Sequence, residues 1–206
     1  MISTTIHTEK LSFEAFLASY LEDDRYELID GELIDLEPTG LHEQVSGLIN
    51  RKLNVEIDRE HLPWLIPMKC LIKPLGSSSA LRPDVIILDQ TVLAQEPLWR
   101  KEPVITLGNS VKLVVEVVSG NWQNDYARKV EEYEALGIPE YWIIDYLGLG
   151  GKRYIGSPKQ PTITIYQLFN QTYQGQQFRQ SEYLISPTFS SLEITADEIF
   201  TAGQLA

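Results

Sequence analysis

Two runs of apolar residues constrain the fold of this chain more than any other part of its sequence. RPDVIILD (82–89) and VKLVVEVVS (111–119) each contain a nearly continuous series of Val, Ile and Leu. Strands with one wet face alternate between apolar and polar residues, whereas near-continuous runs are typical of central strands covered on both faces. The sequence therefore predicts a sheet that is buried between other elements.

The N-terminal half adds helices and a hairpin to this sheet. Residues 11–21 place their apolar side chains near one helical face, and residues 41–60 read as a long amphipathic helix. Between them, Asp30-Gly31 joins two alternating runs and predicts a β-hairpin. WLIPMKCLIKP (64–74) predicts a strand at an edge or with a bulge, because its internal proline lacks a backbone donor.

The C-terminal half predicts one more long helix and several strands. Residues 123–136 read as a helix that ends at Gly137, and EYWIIDY (140–146) reads as another buried strand. From TITIYQLF through QTYQGQQF (162–178) to the end, the pattern indicates further antiparallel strands. A short terminal helix is expected to start at the capping box Thr195–Glu198.

The order of these elements predicts a mixed α+β or α/β fold. A central sheet would have a helix and hairpin before it and antiparallel strands after it. A chain of 206 residues is long enough for one domain with a sizeable core. We therefore expect a single domain over residues 1–206, with a loose N-terminus over residues 1–10.

The composition narrows the functional classes. The sequence has no apolar stretch that could span a bilayer and no signal-peptide core. Cys70 is its one cysteine, which excludes a disulfide framework and a thiolate zinc site. These features favour a cytoplasmic protein with no membrane association, in which Cys70 is a small buried hydrophobe. The formal charge of −12 opposes phosphate binding by the surface as a whole, but it does not describe any one cleft.

Two acids lie in apolar surroundings that make them candidates for a reaction centre. Asp84 opens the first buried run, and Glu116 lies inside the second. A carboxylate in a central strand is costly unless a partner or a metal ion compensates it. On adjacent strands the two acids could share Mg²⁺ or Mn²⁺, which prefer oxygen ligands. The alternative is that each acid lies at a strand end, in water or paired with a cation such as Arg82.

Lys129 and Glu27 are candidates to extend this pair. On the helix over 123–136, Lys129 can point along the sheet edge towards the acids. Its alternative is an exposed i,i+4 pair with Asp125, worth about 0.3–0.5 kcal/mol. Glu27 lies in the first hairpin strand and has more apolar flanks than Glu32 beyond the turn, although exposed charges are common in hairpins.

Other residue types offer no competing site. His7 lies near the N-terminus and His61 follows a helix, and no two histidines have metal-ligand spacing. His42 begins the long helix and could line a cleft, but a histidine at a helix start is more often a surface residue. No glycine-rich phosphate loop occurs, and Ser119 lacks the G-x-S-x-G context of a serine hydrolase.

A family resemblance runs along nearly the whole chain. It is carried by YELIDGEL, His42, RPDVIILD, LVVEVVS and DYARKVEEYEALGIPEYWIIDY, in that order. This set resembles the Uma-two family, a large prokaryotic group in the restriction-endonuclease-like superfamily, and GIPEYWIID after the K-x-x-x-Y helix is its most specific part. The resemblance implies a restriction-endonuclease-like core, in which a central mixed β-sheet is flanked by helices and a metal site lies where two core strands diverge.

The superfamily motif PD…(D/E)-x-K can be carried over residue by residue. Asp84 matches the first acid and Glu116 the second, and Glu27 looks like an additional acid from the N-terminal region. The motif lysine should lie two residues after the glutamate, where this chain has Val118. The resemblance implies that the lysine has moved to the following helix, as Lys129.

Hydrolysis of phosphodiester bonds in nucleic acid, specifically DNA, is the activity that the resemblance implies. One or two Mg²⁺ or Mn²⁺ ions would be bound by oxygen atoms of Asp84, Glu116, Glu27 and the Val117 carbonyl. Lys129 would orient the attacking water, and Asp125 and Tyr133 would be the partners of Lys129. By analogy with restriction-like nucleases, the enzyme would be a homodimer.

Two other functional classes stay open. A nuclease-like scaffold with a shifted lysine and an acidic surface could be a non-catalytic binding or oligomerising module. The tryptophans at 64, 99, 122 and 142 could then form an interface, although core positions suit most of them better. A hydrolase of a small phosphorylated metabolite would instead need a closed pocket.

Overall fold

The computed structural model describes residues 10–36 and 38–205. The helices are α1 (Phe13–Tyr20), α2 (Gly40–Arg59), α3 (Lys129–Leu136), α4 (Lys152–Ile155) and α5 (Ala196–Ala202). The strands are β1 (Tyr26–Ile29), β2 (Glu32–Asp35), β3 (Trp64–Leu65), β4 (Leu71–Ile72), β5 (Val85–Asp89), β6 (Val104–Ile105), β7 (Val111–Val117), β8 (Glu140–Asp145), β9 (Thr162–Phe169) and β10 (Thr172–Phe178). The predictions for His7 and for a loose N-terminus fall, apart from Lys10, outside the described residues.

Six strands form the central sheet in the order β10-β9-β8-β7-β5-β3. β7 and β8 run parallel, and every other neighbouring pair runs antiparallel. The two apolar runs became β5 and β7, which occupy interior positions and are almost entirely buried. The predicted central mixed sheet is therefore confirmed.

Helices cover both faces of this sheet, as predicted. α2 and α5 pack on the face to which Val85 and Val115 point. α3 covers the opposite face, where Tyr133 packs near Ile86 and Val114. Because side chains alternate along a strand, Glu116 lies on the same face as α3. Within the described ranges, no helix is both long and apolar enough to cross a membrane.

The hairpin β1–β2 forms at the predicted turn. Asp30 and Gly31 have φ values of 50° and 83°, the left-handed pair that a two-residue type I′ turn requires. The backbone groups of Leu28 and Ala80 exchange two hydrogen bonds, which fix the hairpin to the chain leading into β5. This docking sets Glu27, the residue before Leu28, beside the start of β5.

The segment over residues 64–74 differs in part from the prediction. β3 is an edge strand paired with β5, as expected, but β4 pairs in parallel with β6 in a separate two-stranded sheet. Pro67 lies between them and cannot donate to a ladder, so the chain leaves one sheet before it joins the other.

The chain after β10 also differs from the prediction, because it reaches α5 without forming further strands. Among the described residues its pairing is an isolated bridge between Tyr183 and Thr195. The buried Glu140 carboxylate accepts hydrogen bonds from the Ser186 hydroxyl and the Thr188 N–H at 2.8 and 2.7 Å. These bonds to a side chain replace those of a strand partner. The predicted capping box at the start of α5 is confirmed.

Candidate active site

The central strands β5 and β7 separate at the start of β5. β5 begins at Val85, opposite Val115, whereas β7 continues to Val117. The Val117 N–H has lost its strand partner there, and it donates to Asp84 Oδ2 at 2.6 Å instead. The Asp84 side chain is 22% exposed. Asp84 thus lies at a strand end and not within the apolar strand, but Arg82, its suggested partner, pairs with Asp24.

Glu116 lies one residue before the separation and is almost fully buried. Its Oε1 accepts a hydrogen bond of 2.7 Å from the Tyr133 hydroxyl on α3. Its Oε2 lies 3.0 Å from Lys129 Nζ. Tyr133 was expected to support Lys129, and the structure instead pairs its hydroxyl with Glu116. Both oxygens of this carboxylate therefore have fixed partners.

Lys129 is the centre of a cluster of three carboxylates. Its Nζ lies 3.0 Å from Glu116 Oε2, 3.2 Å from Asp125 Oδ1 and 3.4 Å from Glu27 Oε2. The Lys129 residue is 2% exposed and Glu27 is 1% exposed. The interpretation of Lys129 and Asp125 as an exposed helix pair is therefore wrong. Glu32, the alternative to Glu27, is exposed to solvent.

A π-helical turn over Asn124–Arg128 precedes α3 and orients two members of this cluster. The Tyr141 hydroxyl on β8 donates to the Asp125 carbonyl at 3.0 Å and fixes the turn to the sheet. Arg128 forms ion pairs with Asp30 in the hairpin turn and with Glu132. The hairpin, the turn and the sheet thus hold the cluster together.

The charges in the cluster do not balance. Burial is the main cause that raises the pKa of Glu116 well above its usual value, and neighbouring carboxylates add to this shift against the charge of Lys129. Burial also raises the pKa of Asp125, to about 7. Burial lowers the pKa of Lys129, but the surrounding carboxylates outweigh it and hold that pKa well above its usual value. The cluster therefore favours further positive charge, as protons or as a cation.

His42 is a member of the site that the sequence underrated. The residue is 6% exposed, so the expectation of a surface histidine is wrong. Its Nε2 lies 3.0 Å from the Val117 carbonyl oxygen and 3.4 Å from Asp84 Oδ1. Burial lowers the pKa of the imidazole, but the bond to Asp84 and the charges of Asp84 and Glu43 outweigh it and raise the pKa. The first turn of α2 thus contacts both separating strands.

These groups line an open cavity of about 250 Å³. Its walls include Glu27, His42, Asp84, Glu116 and Lys129. The cavity thus brings together every acid singled out from the sequence, apart from Glu32, with the shifted lysine.

The donor set fits a hard divalent cation by chemical type. Asp84 and Glu116 offer carboxylate oxygens, and the Val117 carbonyl oxygen and Asp84 Oδ1 both lie close to His42 Nε2. As arranged, no three His, Cys, Asp or Glu side chains of the described ranges form a ready-made cation site. The ammonium group of Lys129 is the cation among the carboxylates in this structure.

Comparisons with known proteins agree with the fold and the predicted family. The sequence profile of the Uma2 family, described as "Putative restriction endonuclease", matches residues 13–197. One solved structure, described as "a putative nuclease belonging to DUF820 from Anabaena variabilis", is similar with a TM-score of 0.68 at 15% identity, over 94% of this chain and 99% of that chain. No curated relative matches the sequence. Because the family match covers most of the chain, this protein belongs to the Uma2 family.

Proposed function

We propose that this protein is a metal-dependent endonuclease that hydrolyses phosphodiester bonds in nucleic acid. The observation that carries the proposal is the group of carboxylates around the buried Lys129 Nζ, with Asp84 beside it where β5 and β7 separate. Charged groups with strongly shifted pKa values in a cleft concentrate at functional sites. Membership of the Uma2 family and the nuclease-like fold support the same function.

The metal ligands would be Asp84, Glu116 and the Val117 carbonyl, with Glu27 completing the set or binding a second ion. Oxygen ligands of this kind favour Mg²⁺ or Mn²⁺. When bound, such an ion lowers the pKa of a water molecule and neutralises the charge that develops on the phosphate.

The protein's own side chains prepare the site for this reaction. Tyr133 fixes Glu116 by its hydroxyl, so that the other carboxylate oxygen faces Lys129. Lys129 can orient the attacking water or stabilise negative charge on a phosphate oxygen. Asp125 holds Lys129 from the preceding turn. His42 contacts two of the proposed ligands, Asp84 and the Val117 carbonyl oxygen.

We further propose DNA as the nucleic acid, a homodimer as the active form and the cytoplasm as the location. Restriction-like nucleases often dimerise, because two sites can then meet the two strands of a duplex, and this is an argument by analogy with the fold. The location is inferred from the composition of the chain.

Cleavage assays test the proposal directly. The substrates are linear and circular DNA duplexes, single-stranded DNA and RNA, each with Mg²⁺ or Mn²⁺ and with EDTA. We expect metal-dependent cleavage that falls by at least about 10²–10³-fold in Asp84→Asn and Glu116→Gln, because each change removes charge at the reacting centre. Glu32→Gln, an exposed acid on the same hairpin as Glu27, is the control and should retain activity.

Three results would count against this function. Cleavage at the same rate in Asp84→Asn, or no cleavage of any nucleic acid under any condition, would contradict it. Turnover of a small phosphate ester without cleavage of nucleic acid would favour the metabolite hydrolase instead. Circular dichroism of each variant shows whether a loss of activity reflects a loss of fold.

A further inference from the structure

The charges of this acidic chain are distributed unevenly along its sequence. The chain has 29 Asp and Glu residues against 17 Lys and Arg residues. None of those acids lies between residues 146 and 181, where the charged residues are Lys152, Arg153, Lys159 and Arg179. This stretch follows β8 and includes α4, β9 and β10, so it forms one continuous part of the fold.

Three of these cations are available to a ligand. Lys152 and Arg153 are exposed on α4, and Lys159 is exposed in the loop that follows. Within the described part of the chain, none of the three lies within 4.0 Å of a carboxylate oxygen in the ion pairs found. Arg179 differs, because it is half-buried and its guanidinium donates to three acceptors, on Thr162, Ile155 and Gln177. We call Lys152, Arg153 and Lys159 the basic ledge.

Aromatic rings contact two members of the basic ledge, Arg153 and Lys159. Lys159 Nζ lies 5.9 Å from the centre of the Trp122 ring, and Arg153 Cζ lies 5.7 Å from the centre of the Tyr154 ring. The Tyr154 ring in turn stacks on Tyr126 at 4.9 Å. Contacts of this kind orient a cation without neutralising it. The ledge therefore offers fixed positive charge.

The same rings join the ledge to the candidate active site. In the sequence, Trp122 precedes and Tyr126 follows Asn124 and Asp125, two residues that line the active-site cavity. A Cβ atom at Gly151 would lie 3.0 Å from the Trp122 ring, so α4 begins directly against it. The ledge is thus fixed to the segment that carries the Asp125 carboxylate.

Two adjacent cavities extend from the candidate active site towards the ledge. A second cavity, of about 330 Å³, shares His42, Ser119 and Asn121 with the active-site cavity and extends to Leu149. The Leu149 carbonyl accepts a hydrogen bond of 2.8 Å from Lys159 Nζ. The second cavity therefore ends beside Lys159, one member of the ledge.

The active-site cavity needs such a neighbour if its substrate is a polyanion. Asp24, Glu43 and Asp84 line that cavity, and its lysine at the rim, Lys69, is paired with Asp24 at 2.7 Å. Binding of nucleic acid depends on neutralising phosphates with Lys and Arg. Arg82, which also lines the cavity, is paired with Asp24 as well. Phosphate contacts other than that of Lys129 at the reacting centre must therefore come from outside the cavity.

We propose that the basic ledge binds backbone phosphates of a nucleic acid strand whose scissile bond lies in the active-site cavity. This inference rests on the proposed function and adds the surface that holds the substrate. Lysine and arginine contacts to phosphates position a strand without reading its sequence. The ledge therefore sets the path of the strand and leaves its sequence unselected.

The test measures binding separately from cleavage. Fluorescence anisotropy follows labelled DNA duplex and single strand in Glu116→Gln protein, over a series of NaCl concentrations. The ledge variant carries Lys152→Gln, Arg153→Gln and Lys159→Gln. The matched control carries Arg51→Gln, Arg100→Gln and Lys101→Gln, three exposed cations that line neither cavity and have no ion pair in the described structure. Both triple variants change the net charge equally.

We expect the ledge variant to bind at least about tenfold more weakly, and its plot of log affinity against log salt to be shallower by about 2–3, since each lost phosphate contact removes about 1 from the slope. The control should keep the parent slope. A merely structural role of these residues would not change the slope.

The outcomes separate the ledge from the proposed function. Equal weakening of both triple variants, or parent binding in the ledge variant, would overturn the ledge even if the wild type cleaves DNA. Ledge-dependent binding by a wild type that never cleaves would support the ledge and count against the nuclease. Binding to phosphatidylserine vesicles without binding to nucleic acid would overturn the ledge as a substrate surface.

Discussion

At the scale of a single residue, Lys129 is one buried cation in contact with three carboxylates. A lysine with 2% exposure would be unstable alone, and it persists because three carboxylates contact it. Those carboxylates depend on it equally, because removal of one partner from a buried ion pair leaves an uncompensated charge. The cluster therefore behaves as one unit.

We predict that Lys129→Met destabilises the metal-free protein by about 3–5 kcal/mol at neutral pH, because the buried carboxylates lose their cation. Lys112→Met is the control. Lys112 pairs with Asp89 at 2.9 Å but is 29% exposed, so its loss should cost about 1 kcal/mol or less. Urea unfolding in EDTA measures both free energies.

Lower pH should relieve part of the loss in Lys129→Met. The pKa values of Glu116 and Asp125 are raised in the folded parent, chiefly by burial. A folded-state pKa above the unfolded one means that stability is lost as pH rises through the folded value, and is regained as pH falls. The removal of Lys129 raises these pKa values further. An equal loss of unfolding free energy in Lys129→Met and Lys112→Met would contradict this account, and so would a loss in Lys129→Met that does not depend on pH.

The same residues show how far the sequence could predict the site. Glu116 stood out because its apolar neighbours demand an explanation for a charge, and this signal is local. The family resemblance includes His42, but the local pattern did not predict its burial, which depends on how the first turn of α2 packs against the end of β7. Nothing near His42 in the sequence records that contact.

At the scale of elements, a close backbone contact joins the 3₁₀ turn before β7 to the end of α3. A Cβ atom on Gly108 would lie 1.9 Å from the Leu136 carbonyl oxygen. This distance forces one of the two backbones to move. The contact lies at the ends of β7 and α3 that are opposite to Glu116 and Lys129, so it helps to set how α3 lies along the sheet.

We therefore predict that Gly108→Ala destabilises the protein by about 1–3 kcal/mol, because the added methyl group overpacks a closed contact. Gly47→Ala is the matched control. Gly47 lies on the exposed side of α2 with no atom within 4 Å of an added Cβ, so the change should stabilise the helix by about 0.5–1 kcal/mol. Urea denaturation of both variants should give shifts of opposite sign, and shifts of the same sign would refute the packing argument.

Elements with local signals were the ones that the sequence could predict. The Asp30-Gly31 turn specifies its hairpin through two left-handed residues, and the capping box of α5 specifies a helix start. The chain between β10 and α5 has no such signal. Its course depends on Glu140, a residue on a distant strand, so its alternating residues were misread as strands.

At the scale of the whole molecule, the charge of −12 has two separable consequences. General repulsion between acids weakens the folded state, and any salt screens it. The carboxylates of the active-site cavity would add a specific response, because they attract a divalent cation beyond what screening explains. The basic ledge accounts for how so acidic a protein could still hold a nucleic acid.

The final prediction separates these responses. At constant ionic strength, Mg²⁺ or Mn²⁺ should raise Tm with a logarithmic dependence on concentration, since a ligand of the folded state adds about 2.7 kcal/mol at 100 times its Kd. Asp84→Asn should abolish this rise, because Asp84 would lose a ligand oxygen, and Glu32→Gln should keep it. NaCl should raise Tm in all three proteins alike, since screening does not depend on any one acid. A protein that folds normally but shows only the NaCl response would be a non-catalytic module, because a phosphodiesterase of the kind proposed cannot act without its metal.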